Sequence, residues 1–122
     1  HHTILGGGKA KEKCWQDSMY SICVENSSNK GYFTEKILDA FLSRTIPIYW
    51  GCPDISSYFD ISGIIHCSDE SNIIECVNQL TPEFYHSKKE TMEYNYTQAL
   101  YYSNITQRFA DKIQEIVTYN GI

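Results

Sequence analysis

The sequence lacks an excess of positive charge. Its 122 residues include 10 Lys and Arg against 15 Asp and Glu, which gives a formal net charge of −5. Proteins that bind nucleic acid gain much of their affinity from Lys and Arg side chains that neutralise phosphates, so this balance argues against a nucleic-acid partner. The short basic stretch Lys9, Lys11 and Lys13 is interrupted by Glu12 and is typical of a solvated loop.

Long apolar runs and ordered cysteine spacings are also missing. No run approaches the roughly 18 to 20 apolar residues that a membrane-spanning helix needs, and no signal peptide is recognisable. The 5 cysteines form neither a CxxC pair nor the Cys/His spacing of a zinc site. We therefore expect buried free thiols, at Cys23 and Cys67, and a cytoplasmic or membrane-peripheral location rather than secretion. The glycosylation sequons at Asn26, Asn95 and Asn104 do not outweigh this expectation.

Short β-prone runs alternate with amphipathic segments along the chain. After a polar, glycine-containing loop over residues 1–18, strands are predicted at residues 19–24, 46–50 and 64–67. Helices are predicted behind a Thr34 cap, over residues 71–80, from Pro82 onward and over residues 104–119. We interpret the order as strand–helix–strand–helix–strand–helix followed by two terminal helices. It predicts one α/β domain over residues 1–122, with a Rossmann-like parallel sheet covered by helices on both faces.

Polar residues crowd the first junction between a strand and a helix. Ligands of open α/β sheets bind beyond the carboxyl ends of the strands, and Asn26 directly follows the first strand. Glu35 and Lys36 form the first turn of the next helix, whose N–H groups and dipole attract anions. Lys36 opposes that dipole at a cost of about 0.3 to 1 kcal/mol, which a bound diphosphate would offset. Taken singly, these residues are also common in solvated turns.

Two motifs together resemble a known family. The first is the run Val24-Glu25-Asn26-Ser27-Ser28-Asn29-Lys30-Gly31-Tyr32-Phe33-Thr34-Glu35-Lys36-Ile37. It resembles the signature of the α-1,3-fucosyltransferases of glycosyltransferase family 10, in which a FEN(S/T) stretch leads into a TEK helix start. The second is the run Thr45-Ile46-Pro47-Ile48-Tyr49-Trp50-Gly51, which is similar to a strand of the same family. The resemblance is close over residues 20–70 and looser elsewhere.

The resemblance implies the C-terminal, donor-binding half of a GT-B glycosyltransferase. In such enzymes a separate N-terminal domain, which would lie outside this chain, holds the glycan acceptor and supplies the catalytic base. No catalytic residue can therefore be named here, and we expect the isolated chain to bind the donor without catalysis. By the same analogy Glu35 contacts the ribose of GDP-fucose, Lys36 neutralises the diphosphate, and Asn26 and Tyr32 hold the sugar–phosphate end. The nucleotide would also lie near residues 51–57 and 67–70.

The same resemblance implies inverting transfer of fucose without a cofactor. The chain contains no Asp-x-Asp pair, which favours a site that needs no metal, and Asp69-Glu70 is interpreted as a helix start. Two alternatives stay open. The domain could use another GDP-hexose, because the motifs do not securely contact the hydroxyl groups of the sugar. It could also be a non-catalytic interaction module that keeps the fold, although the intact pair of Glu35 and Lys36 argues against this.

Overall fold

The computed structural model describes residues 18–119 of the chain. The loop predicted for residues 1–18, with its three glycines and its basic stretch, lies outside the described residues except for residue 18. The strands are β1 (Tyr20–Val24), β2 (Ile46–Trp50) and β3 (Ile65–His66). The helices are α1 (Glu35–Leu42), α2 (Ile73–Val77), α3 (Pro82–Ser87) and α4 (Lys89–Tyr119).

The three strands form a parallel sheet in the order β1-β2-β3. Tyr20 pairs with Ile46 in the register of β1 and β2, and Ile48 pairs with Ile65 in that of β2 and β3. The predicted α/β class with a parallel sheet is confirmed, and the strands lie within one or two residues of their predicted ends. Because all strands run in the same direction, the residues that follow them gather at one edge of the sheet.

Both faces of the sheet are covered, as the sequence predicts. Alternation along the strands places Cys23 and Tyr49 on one face, where they share a core with residues of α1 such as Phe41. Tyr20 and Ile48 belong to a second core on the other face. That second core includes partly buried residues of α2 and α3: Ile73, Cys76, Val77 and Tyr85.

Helix α1 begins where its capping residue predicts. The Thr34 side chain accepts a hydrogen bond of 3.2 Å from the Lys36 N–H and caps the helix. Ile37 and Phe41 are buried against the sheet, which is the apolar face that their spacing predicts. The helix ends before Arg44, whose φ of 57° is left-handed and turns the chain into β2.

The connections after β2 differ from the prediction. No α-helix lies between β2 and β3, which are joined through two 3₁₀ turns, Ile55–Ser57 and Ile61–Gly63. The helix predicted over residues 71–80 consists of a 3₁₀ turn, Glu70–Asn72, and the five residues of α2. Asp69 does start this segment, since its carboxylate accepts a 2.9 Å hydrogen bond from the Ser71 N–H.

The final two predicted helices are arranged differently in the structure. The short helix α3 begins at Pro82, as predicted. Helix α4 then runs unbroken for 31 residues from Lys89, so the predicted start of the last helix at residue 104 is wrong. Asn95 is fully buried on α4 and exchanges hydrogen bonds of 2.8 and 3.1 Å with the backbone of Asp60. Its sequon is therefore inaccessible in this fold. Within residues 18–119, no helix is both long and apolar enough to span a membrane.

Candidate donor-binding site

The candidate residues lie together on the surface between β1 and α1. Asn26 follows β1 by two positions and is exposed, and Tyr32 on the same loop is 39% exposed. Glu35, also exposed, is the first residue of α1, and the half-buried Lys36 follows it. The loop after β1 and the first turn of α1 therefore carry all four residues at the carboxyl edge of the sheet.

A buried carboxylate that sequence reasoning did not single out supports this loop. Glu25 directly follows β1 and is only 2% exposed. Its carboxylate accepts hydrogen bonds of 3.0 Å from the Thr34 N–H, 2.6 Å from the Thr34 hydroxyl and 3.0 Å from the Tyr49 hydroxyl. Burial of a carboxylate is costly unless donors surround it, and these three donors offset that cost. Glu25 thus connects β1, β2 and the cap of α1.

The Tyr49 hydroxyl extends this network to the end of β2. It donates to Glu25 and accepts a hydrogen bond of 3.0 Å from the backbone N–H of Cys52. Burial raises the pKa of Tyr49, and the neighbouring Glu25 carboxylate raises it further. The phenol therefore stays protonated at neutral pH and keeps its proton available for Glu25.

Gly51 allows the loop after β2 to approach Glu25 closely. A Cβ atom at Gly51 would overlap the side-chain carbons of Glu25 and would come within 2.8 Å of the Tyr49 hydroxyl. The Gly51 carbonyl accepts a hydrogen bond of 2.8 Å from the Ser28 hydroxyl, which attaches the loop after β1 to the end of β2. Only a residue without a side chain fits this position without displacing the network.

A second set of hydrogen bonds, centred on Asp54, holds the middle of the loop. The Gly31 N–H and the Cys52 thiol both donate to Oδ1 of Asp54, over 2.8 and 3.0 Å. These two hydrogen bonds lower the pKa of Asp54, the thiol contributing most, so the carboxylate remains charged at neutral pH. Gly31 has a φ of 72°, a left-handed conformation that favours glycine. Tyr32 follows this turn and is positioned by it.

The N-terminus of α1 combines a cation with oriented backbone dipoles. Glu35 favours the helix dipole, whereas Lys36 opposes it and so gains from a nearby anion. The Lys36 carbonyl accepts a weak hydrogen bond of 3.6 Å from the Cys23 thiol of β1, which ties the first turn to the sheet. The Thr34 and Lys36 N–H groups already donate to Glu25 and to the Thr34 hydroxyl. A phosphate-bearing ligand would therefore be attracted here by the Lys36 charge and the dipole of α1.

Glu35 also borders a groove between α1 and α4. The groove has a volume of about 460 Å³, and Phe33 and Tyr102 contribute aromatic surface to it. Asn26, Tyr32 and Lys36 are not among the residues that line it. Glu35 is therefore the candidate residue at the boundary between the loop surface and this groove.

A comparison with models of protein families shows which family the chain belongs to. The family model described as glycosyltransferase family 10 (fucosyltransferase) C-term matches residues 6–116. The chain belongs to glycosyltransferase family 10. The match covers both sequence motifs and every candidate residue, so the resemblance read from the motifs is confirmed.

Individual relatives agree with this family assignment. The chain is 33% identical over 96 residues to the alpha-(1,3)-fucosyltransferase FucT of Helicobacter pylori, a match that covers 70% of this chain and 20% of that protein. Crystal structures of an alpha1,3-fucosyltransferase with GDP-fucose and with GDP are each 30% identical, with a TM-score of 0.50. Each match covers 59% of this chain and 23% of the chain in the solved structure. The family-10 chain thus spans about a fifth of the length of its curated relative.

The family-10 fold assembles the other predicted contact segments at the same edge. Residues 51–57 follow β2 and residues 67–70 follow β3, so both lie beside the loop that follows β1. Between residues 18 and 119, no three His, Cys, Asp or Glu side chains are grouped closely enough to hold a metal ion. The roles of Asn26, Tyr32, Glu35 and Lys36, and binding without a metal, stay predictions.

Proposed function

We propose that this chain is the donor-binding part of an inverting fucosyltransferase that transfers fucose from GDP-fucose to a glycan. The observation that carries the proposal is the loop that presents Asn26, Tyr32, Glu35 and Lys36 above the buried Glu25. Support comes from the family match and from the solved relatives whose titles name GDP-fucose and GDP. The acceptor and the catalytic base belong to a further part of the enzyme in this proposal.

Each candidate residue has a distinct task in the proposed reaction. When the bond between fucose and GDP breaks, negative charge develops on the β-phosphate. Lys36 and the N-terminus of α1 stabilise that charge, and no metal ion is needed for this task. Glu35 accepts hydrogen bonds from the ribose hydroxyls, while Asn26 and Tyr32 orient the sugar–phosphate end of the donor. The hydrogen bonds around Glu25 and those around Asp54 hold these groups in place before the donor binds.

Calorimetric titration with GDP and with pyrophosphate tests this division of tasks. Lys36→Ala removes a charge-assisted contact worth about 1.5 to 3 kcal/mol, so both ligands should bind roughly ten- to a hundredfold more weakly. Glu35→Ala should weaken the binding of GDP but hardly that of pyrophosphate, because only GDP carries the ribose. A chelator should leave the affinity of the parent chain for GDP unchanged.

Lys89→Ala is the matched control, since it removes the same charge from the exposed start of α4. It should bind GDP like the parent chain. Equal affinity of Lys36→Ala and the parent for GDP, with unchanged thermal melts, would place the site elsewhere. Equal binding of GDP and UDP to the parent chain would instead indicate a general phosphate site and contradict a GDP-sugar donor.

A further inference from the structure

Two cysteines meet on the face of the sheet that α2 covers. Cys67 directly follows β3, and its N–H donates a hydrogen bond of 2.7 Å to the carbonyl of Tyr49. Cys76 lies on α2, and the Sγ atoms of the two cysteines are 3.5 Å apart. A disulfide bond measures about 2.05 Å, so the sulfurs need to approach by only about 1.5 Å.

The two cysteines differ in how firmly their backbones are held. The sheet hydrogen bond fixes Cys67 at the end of β3. Helix α2 has five residues, none of them fully buried, and its Ile74 is 71% exposed. A short helix with a small buried surface shifts at low cost. The missing approach between the sulfurs can therefore come from α2, without deformation of the sheet.

The cysteines also differ in accessibility. Cys76 is half-buried and lines a surface cavity of about 350 Å³ together with Gln79, Leu80 and Phe84. Cys67 is 3% exposed, and its burial raises the pKa of the thiol to about 12. A reagent in solution therefore meets Cys76 first. Cys67, which is buried beside it, then reacts with the sulfur of Cys76.

The other described cysteines have no part in this pair. Cys23 and Cys52 belong to the core on the opposite face of the sheet. The Cys23 thiol donates to backbone carbonyls, and the Cys52 thiol donates to the Asp54 carboxylate. The sheet thus separates them from the neighbouring thiols of Cys67 and Cys76.

We propose that Cys67 and Cys76 form a redox pair that a low-molecular-weight disulfide converts reversibly into an intramolecular disulfide. The Cys76 thiol loses its proton to solvent and attacks one sulfur of the small disulfide, which releases one small thiol. The Cys67 sulfur then attacks Sγ of Cys76, breaks the mixed disulfide and releases the second small thiol, while the Cys67 proton goes to solvent. Two protein thiols are oxidised, and one small disulfide is reduced to two thiols.

The bridge would tie the end of β3 to α2. In a reducing compartment the pair rests as two thiols, and it closes when the small-molecule disulfide accumulates. A cross-link restricts the unfolded chain, so the oxidised form should unfold at a temperature several degrees higher than the reduced form. The redox state would thereby change the rigidity of one edge of the sheet without a change in fold.

Mass spectrometry of the chain tests the pairing directly. The chain is equilibrated with oxidised glutathione, its free thiols are alkylated, and it is digested with a protease that cuts after glutamate. Glu70 and Glu75 lie between the two cysteines, so cleavage there separates them unless a disulfide joins the fragments. The expected result is a joined pair of peptides containing Cys67 and Cys76, which dithiothreitol separates, and a rise in Tm that dithiothreitol reverses.

Two variants complete the test. Cleavage after glutamate leaves Cys52 and Cys67 in one peptide, residues 36–70. Cys52→Ser should therefore keep the joined peptides, which shows that Cys67 and not Cys52 forms the link. Cys76→Ser should lose both the joined peptides and the oxidation-dependent rise in Tm. The proposal is overturned if the parent chain yields only a glutathione adduct on Cys76. Links to Cys14 instead of Cys67, or complete alkylation of both cysteines after oxidation, would overturn it as well.

Discussion

The loop between β1 and α1 and the C-terminal half of α4 show opposite relations between composition and packing. The loop is polar and exposed, but it rests on Glu25, which is 2% exposed and satisfied by three donors. The end of α4 is amphipathic, but Phe109 is 66% exposed and Ile113 46% exposed. A polar surface can thus be rigidly supported, while an apolar helical stripe can stay uncovered within residues 18–119.

The largest expected effect is that of Glu25→Ala, which removes the centre of the loop's support. It leaves the Thr34 N–H, the Thr34 hydroxyl and the Tyr49 hydroxyl without their shared acceptor. We expect the free energy of unfolding to fall by about 2 to 4 kcal/mol, measured by urea denaturation. Glu35→Ala, on the exposed start of α1, should cost less than about 1 kcal/mol. Similar losses in both variants would contradict the distinction between the buried, supporting carboxylate of Glu25 and the exposed carboxylate of Glu35.

Tyr49→Phe should have the next largest effect, because it removes one link of the same network. The Cys52 N–H loses its acceptor and Glu25 loses one of its donors. The expected loss is about 1 to 2 kcal/mol in the same denaturation experiment. Tyr101→Phe, at a tyrosine of α4 that is 55% exposed, is the control and should leave the stability unchanged. If the two variants are equally stable, Glu25 acts on the loop through Thr34 alone.

Acid should weaken the hydrogen bonds around Asp54, which hold the middle of the loop. Hydrogen bonds from Cys52 and Gly31 lower the pKa of Asp54 below its ordinary value of 3.8. A carboxyl with a lowered pKa in the folded state adds stability above its unfolded pKa, and this contribution is lost as the pH falls through the folded value. The difference in unfolding free energy between the parent and Asp54→Ala should therefore be present at pH 7 and be lost as the pH falls below 3.8 through the lowered pKa of Asp54. A constant difference across this range would exclude the charge as its source.

The smallest effect is expected in the other region, at Phe109→Ser. Its ring is exposed, so its replacement should change the free energy of unfolding by no more than about 0.5 kcal/mol. Thermal melts of this variant and of Ile113→Ser, its neighbour one turn along, check the expectation. Losses above about 2 kcal/mol in both would show that the stripe is covered in the folded chain, and the contrast between the two regions would fail.

Local signals account for the parts of the fold that sequence reasoning predicted correctly. Apolar runs marked all three strands, and the Thr34 cap with the spacing of Ile37 and Phe41 marked α1. The cluster of turn residues after Val24 marked the loop on which the candidate residues lie. Each of these signals depends on residues within a few positions of one another, so the sequence alone was sufficient to locate them.

Other features were decided only when distant segments packed together. Glu25 becomes a supporting residue through Tyr49, 24 positions away, and Asn95 is buried through its bonds to the backbone of Asp60, 35 positions away. The periodic apolar residues of α4 predicted a helix but not whether any surface would cover it. Periodicity records which side chains share a face, whereas burial depends on which other part of the chain reaches that face. That second property exists only in the tertiary structure, because it is set by contacts between residues far apart in sequence.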